Sequence, residues 1–136
     1  MAVLEVKNLQ KSFGKLQVLK DISLSVEDGE ILSIIGSSGS GKSTILRCIN
    51  RLETVDQGTI IIDGKTMVET INGKAVYAKE AVLKEIRQST GLVFQNFNLF
   101  PHYNVLRNVT EAPIKVMKVP REQAEQEGME LLRKLG

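Results

Sequence analysis

Apolar and polar residues alternate along the start of this chain. Leu4, Val6 and Leu9 begin an apolar series, Lys11-Ser12-Phe13-Gly14-Lys15 breaks it, and Ile22, Leu24 and Val26 then alternate with serines. This period of two predicts strands through residues 3–35, with Asp28-Gly29 as a turn before the apolar strand Ile31-Leu32-Ser33-Ile34-Ile35. The run Ile45–Leu52 predicts a helix. Thr59-Ile60-Ile61-Ile62 and Lys65-Thr66-Met67-Val68 flank Asp63-Gly64, a strong hairpin signal, and Asn72-Gly73 sets a second hairpin between residues 68–71 and 75–77. Residues 79–88 predict a helix with apolar Ala81, Val82, Leu83 and Ile86, and Thr90-Gly91-Leu92-Val93-Phe94 predicts a short buried strand ending at Gln95. Asn104 is placed to cap a helix from Val105, which Pro113 complicates. Pro120 suits the first turn of another helix, in which Ala124, Gly128, Leu131, Leu132 and Leu135 recur at helical spacing.

Between the strand ending at Ile35 and the helix from Ile45 lies Gly36-Ser37-Ser38-Gly39-Ser40-Gly41-Lys42-Ser43-Thr44. It fits the phosphate-binding loop pattern G-x-x-x-x-G-K followed by Ser or Thr, in the strand–loop–helix context that the pattern requires. Glycines let the backbone turn tightly and bring its N–H groups close to phosphate oxygens. The helix that follows offers its N-terminal amides and dipole to an anion. Lys42 can reach β- and γ-phosphates, and the Ser43 hydroxyl can take a Mg²⁺ ligand position. A flexible Gly/Ser linker is a poor alternative, because continuous apolar runs flank the loop.

Composition narrows the class. Hydrophobic residues make up 42% and charged residues 25%, and 18 basic against 16 acidic residues leave a net charge of +2. The charges are scattered, so no basic stripe points to nucleic acid. No apolar run reaches the roughly 18 residues of a membrane span. Met1-Ala2-Val3-Leu4-Glu5 lacks the charged and apolar regions of a signal peptide, and a cytosolic location is expected. The single cysteine, Cys48, falls among apolar helix positions and reads as a buried, inert thiol. His102, the single histidine, follows a proline with no Cys or Asp cluster nearby, and reads as solvated or partner-facing rather than as a metal ligand or base.

The order Phe13, Gly36–Thr44, Gln95 resembles the ATP-binding subunit of ABC transporters, and the resemblance covers essentially the whole chain. It implies an α/β fold: an incomplete P-loop NTPase core, an N-terminal antiparallel β subdomain and the start of a helical subdomain. Within a single domain over 1–136, residues 1–35 and 58–77 would form the antiparallel sheet, 31–57 and 79–95 the P-loop core, and 96–136 the helical start. Phe13 matches the position that stacks on adenine; alone it would read as core, and its place beside Gly14 ahead of a P-loop favours the base. Val18 matches a position that packs on the nucleotide, and a plain strand residue is an equal reading. Ser37, Ser38, Gly39, Ser40, Gly41, Lys42, Ser43 and Thr44 would hold the phosphates of ATP. Lys42 and Gln95 would serve catalysis, and Ser43 and Gln95 would hold Mg²⁺. The segment Phe97-Asn98-Leu99-Phe100-Pro101-His102 with Asn108–Pro113 is similar to importers of polar amino acids. The implied partners are a second ATPase subunit and a membrane permease, the latter through Phe97, Phe100, His102 and Tyr103, which would place the protein peripherally on the cytoplasmic face of the membrane. Phe97 and Phe100 packing the helical lobe is the equal alternative.

Several family elements have no counterpart in the sequence: the Ser-Gly-Gly-Gln signature, a strand ending in Asp-Glu, and a later histidine. Ile60-Ile61-Ile62-Asp63 imitates such a strand, but Gly64 follows and a hairpin turn explains the pair better. The expectation is an ABC ATPase subunit in part, which binds Mg-ATP with little or no turnover. The alternative is a non-catalytic nucleotide-binding fragment or pairing module. The absence of later strands also predicts a gap in the parallel sheet, with exposed edges and pairing between copies or marginal stability. A GTPase would need Asn-Lys-x-Asp and Asp-x-x-Gly, neither of which occurs, and a small-molecule kinase normally opens with its P-loop.

Overall fold

Left-handed turn residues set the hairpins. In the computed structural model, which describes residues 1–136, β1 (Ala2–Phe13) and β2 (Leu16–Glu27) pair antiparallel around Gly14, whose φ is 62°. Strand β1 therefore runs through the break expected at Lys11–Phe13. Strand β3 (Gln57–Ile62) turns through Asp63-Gly64 (φ 51° and 75°) into β4 (Lys65–Ile71), and Asn72-Gly73 (φ 53° and 77°) leads to β5 (Lys74–Tyr77). Positive φ at both central residues is the turn whose twist matches paired strands. The five strands form one sheet in the order β2-β1-β3-β4-β5, with every pairing antiparallel.

Bulges adjust which side chains enter the core. Val6 and Leu9 are three residues apart, yet both are buried. A regular pleat would send them to opposite faces. Asn8 lies between them with φ 51°, and the register with β2 shifts there. Asn8 Nδ2 donates to Asp21 Oδ1 at 2.7 Å, and Asp21 is itself left-handed at φ 56°. The extra residue rephases the strand. Gly58 permits the close approach of β3 to β1: a Cβ there would lie 2.7 Å from Leu9 Cα, and its φ is 126°.

Two helices cover this sheet. Helix α1 (Lys42–Ile49) buries Ile45 and Cys48, and α2 (Glu80–Ser89) buries Leu83 and Ile86. These side chains join Val6, Leu9, Leu19, Val55, Ile60, Ile62, Met67 and Val68 in one core. Each fully buried Leu or Ile contributes about 1.5 to 3 kcal/mol. Tyr77 stays half-buried, and its hydroxyl accepts from the Val55 N–H at 3.0 Å.

The structure corrects two expected strands. Ile31–Ile35 and Thr90–Phe94 pair with no strand, and Ile31, Ile35 and Val93 are 92%, 93% and 79% exposed. An apolar run becomes a strand only beside a partner ladder. The chain's one sheet ends at β2 and β5, and neither segment pairs with either of those edges.

Residues 1–92 form one compact unit and residues 93–136 another. The second contains α3 (Val105–Lys115) and α4 (Arg121–Leu135). Asn104 caps α3 as expected, its Oδ1 accepting from the Arg107 N–H at 2.8 Å. Helix α3 continues through Pro113 and ends two residues later. Gly128 brings the two helices together: a Cβ there would lie 3.1 Å from Thr110 Cγ2 and 3.3 Å from Leu106 Cδ1. Ala124 and Gly128 are buried, whereas Leu131 and Leu135, expected on the same stripe, are exposed. Helix α3 packs only along the first part of that stripe.

Candidate functional site: the loop before helix α1

The loop Gly36–Gly41 turns back on itself before α1. The Ser40 N–H donates to the Ser37 carbonyl at 3.2 Å, Gly39 has φ 81°, and Gly41, with φ 97°, is the N-cap residue of α1. No side chain caps this helix, so the amides of its first turn have no capping side-chain oxygen. Gly41 is required twice over. Its φ is left-handed, and a Cβ there would meet Leu19 Cδ2 at 3.0 Å and Val18 Cγ1 at 3.1 Å. Strand β2 thus forms the wall behind the loop. A Cβ at Gly36 would lie 2.7 Å from Ser40 Oγ, so the two arms of the loop also approach closely.

Lys42 folds over this loop. Its Nζ donates to the carbonyl oxygens of Gly36 and, at 2.6 Å, Ser37, with Ser40 Oγ at 3.4 Å. An ammonium has three donors and no acceptor, so it can trade these carbonyls for phosphate oxygens. Ser37, Ser38, Gly39 and Ser40 are exposed, Ser43 is exposed on the first turn of α1, and Thr44 is half-buried. A tight glycine turn, a helix N-terminus and a lysine in reach of the loop's concave side together fit a polyphosphate.

The flanking candidates fall in different places. Val18 is half-buried beside Gly41. Phe13 lies at the β1–β2 hairpin end, 45% exposed, with Lys11 Nζ 5.1 Å from its ring centroid. Gln95 belongs to the second compact unit, where it opens the turn Gln95–Asn98 with Phe97 and Asn98 left-handed. In that unit Phe97 and Phe100 are exposed, and Phe100, His102 and Tyr103 cluster with centroids 4.4 to 5.9 Å apart.

Two further residues make contacts that no sequence motif assigned to them. Asn108 pins the aromatic loop: its Oδ1 accepts from the Phe100 N–H at 2.8 Å, and its Nδ2 donates to the carbonyls of Asn104 at 2.9 Å and Phe100 at 3.2 Å. A polar residue one turn after an Asn cap was the available hint. Lys11 is buried with its Nζ 3.7 Å from Glu53 Oε2, and nothing local foretold that.

The loop and its setting define an α/β protein with a partial P-loop NTPase core, here with its antiparallel sheet and two helices beyond. A family model described as ABC transporter matches residues 19–136. The chain belongs to the ABC transporter family. It is 44% identical over 130 residues to the glutamine transport ATP-binding protein GlnQ of Bacillus subtilis (strain 168), covering 96% of this chain and 50% of that one. It is 46% identical over 136 residues to the L-cystine transport system ATP-binding protein TcyN of Escherichia coli (strain K12), covering 100% and 53%. The dimeric structure of MJ0796, a bacterial ABC transporter cassette, superposes with a TM-score of 0.75 at 32% identity, covering 96% of this chain and 56% of that one. The chain spans about half the length of the curated relatives it matches.

Proposed function

We propose that this chain provides the ATP-binding P-loop portion of an ATPase subunit that drives uptake of a polar amino acid. The observation that carries this is the loop itself: Gly41 left-handed against Val18 and Leu19, with Lys42 drawn over the loop carbonyls. The relatives' roles in glutamine and L-cystine transport support the substrate class. Ser37 to Thr44 hold the phosphates through loop amides, Lys42 and the Ser43 hydroxyl. Phe13 offers its exposed ring to adenine, with Val18 beside the loop. Ser43 would supply a Mg²⁺ ligand and Lys42 would serve catalysis; the Mg²⁺ and catalytic roles of Gln95, which belongs to the other compact unit, rest on the family resemblance alone. A Mg²⁺ ion held there would supply charge neutralisation to the phosphates.

Turnover by this chain is little or none in this reading. Hydrolysis needs a group that positions the attacking water. Asp63, the one residue that imitates the acidic strand end, sits in a hairpin turn 3.8 Å from Lys65 Nζ. The partner reading rests on Phe97, Phe100, His102 and Tyr103: exposed aromatics among polar residues suit a permease interface. A second ATPase subunit is the other partner, in keeping with the dimeric cassette. No helix is long and apolar enough to cross a membrane, and a peripheral place on the cytoplasmic face follows from the permease partner.

A second reading, a non-catalytic nucleotide-binding or pairing module, is favoured by the exposed segment Ile31–Ile35. Titration calorimetry with Mg-ATP tests the binding that both readings share. Saturable binding lost in Lys42→Ala is the expected result, and absence of binding by the unmodified chain overturns it. Phosphate release separates the readings: release abolished by Lys42→Ala excludes the non-catalytic one.

A further inference from the structure

Lys11 is 7% exposed, an unusual burial for a lysine. Its ammonium lies 5.1 Å from the centroid of the Phe13 ring and 3.7 Å from Glu53 Oε2. The segment that carries Glu53 leaves the end of α1 and is tied to β1 at two more points. The Asp56 N–H donates to the Gln10 carbonyl at 2.9 Å, and Asp56 Oδ2 accepts from the Ser12 N–H at 2.7 Å. Across the sheet Lys11 pairs in register with Leu19, the residue whose methyl a Cβ at Gly41 would strike. Lys11 therefore connects, through its ammonium, the Phe13 ring and the segment after the phosphate-binding helix and, through its place in the ladder, the strand behind the phosphate loop.

We infer that Lys11 is a positioning residue for recognition of the nucleotide base, an inference that rests on the reading of Phe13 as the stacking ring. The ammonium attracts one face of the ring, and Glu53 fixes the ammonium. The ring is held at the hairpin end with surface still free for a base. Stacking needs a ring at a set distance from the phosphate loop, and Lys11 sets it by spanning β1, β2 and the Glu53–Asp56 segment. Its effect falls on the base and not on the triphosphate.

The test compares the chain's affinity for Mg-ATP with that for Mg-tripolyphosphate, which has no base. Lys11→Met keeps most of the apolar stem and removes the charge. It lowers the preference for ATP about fivefold, with tripolyphosphate affinity unchanged, while Lys11→Arg retains the preference. Glu53→Gln, at a half-buried position on the same ion pair, lowers it about twofold and decides the question if Lys11→Met fails to fold. Phe13→Ala separates the two claims. If Phe13→Ala lowers the preference and folded Lys11→Met and Glu53→Gln do not, the inference about Lys11 is overturned alone. A preference untouched by Phe13→Ala, or a chain that binds neither ligand, overturns the stacking reading and this inference together.

Discussion

Cys48 sits in α1 with none of its surface exposed, and burial pushes its thiol up to about 11 from 9.0. The sign of the pH effect follows. Below pH 9 both folded and unfolded thiols are neutral, and the buried form's contribution is fully present. Between about 9 and 11 the unfolded thiol ionises while the folded one keeps its proton, so stability falls by about 2 to 3 kcal/mol across that window. Burial also raises the Tyr77 hydroxyl, which adds to the loss at the upper end. Urea unfolding from pH 8 to 11 checks this: the curve for Cys48→Ala is expected to be flatter than the native one, and parallel curves would refute the assignment. Residue-level environments of this kind were only partly legible beforehand. The helical position of Cys48 among apolar neighbours foretold its burial. Lys11 gave no such sign, because its environment depends on bulges in β1 and on Glu53 far along the chain.

At the scale of elements, what was local in sequence was legible. Asp63-Gly64 and Asn72-Gly73 set their hairpins through two adjacent residues, and Asn104 capped α3 through a contact three residues away. Nonlocal pairing was not legible, as Ile31–Ile35 demonstrates: its apolar pattern suits a strand, and only a neighbouring strand could make it one. The P-loop lay between these cases. Its glycine spacing was plain from the motif, but the close fit of Gly41 against Val18 and Leu19 depends on β2. Helix α3 supports a prediction of its own. Asn108 holds the Phe100–Tyr103 loop to the first turn of α3, and alanine is a good helix former. Asn108→Ala is therefore expected to leave helix content unchanged by circular dichroism while the Phe100 amide exchanges about 10- to 100-fold faster, a local loss of about 1 to 3 kcal/mol. An unchanged exchange rate would mean that the aromatic cluster holds the loop by itself.

For the whole molecule, the exposed apolar segment decides behaviour in solution. Ile31 and Ile35 are 92% and 93% exposed on a backbone stretch with no ladder partner. Such a stretch is a template for another strand. Sedimentation velocity is expected to show association that grows with concentration, and Ile31→Lys with Ile35→Lys to return the chain to a monomer. A native chain that sediments as a monomer at every concentration would count against this.

The contact of Gly41 with Val18 and Leu19 also bears on the order of events during synthesis. A ribosome releases the chain from its N-terminus, and β1 and β2 emerge before residue 36. That hairpin closes over a short sequence separation, so its pairing is among the first available to the nascent chain. By the time the glycine loop leaves the exit tunnel, both strands of the hairpin that carries Val18 and Leu19 have emerged, whereas β3, the other neighbour of β1, has yet to follow.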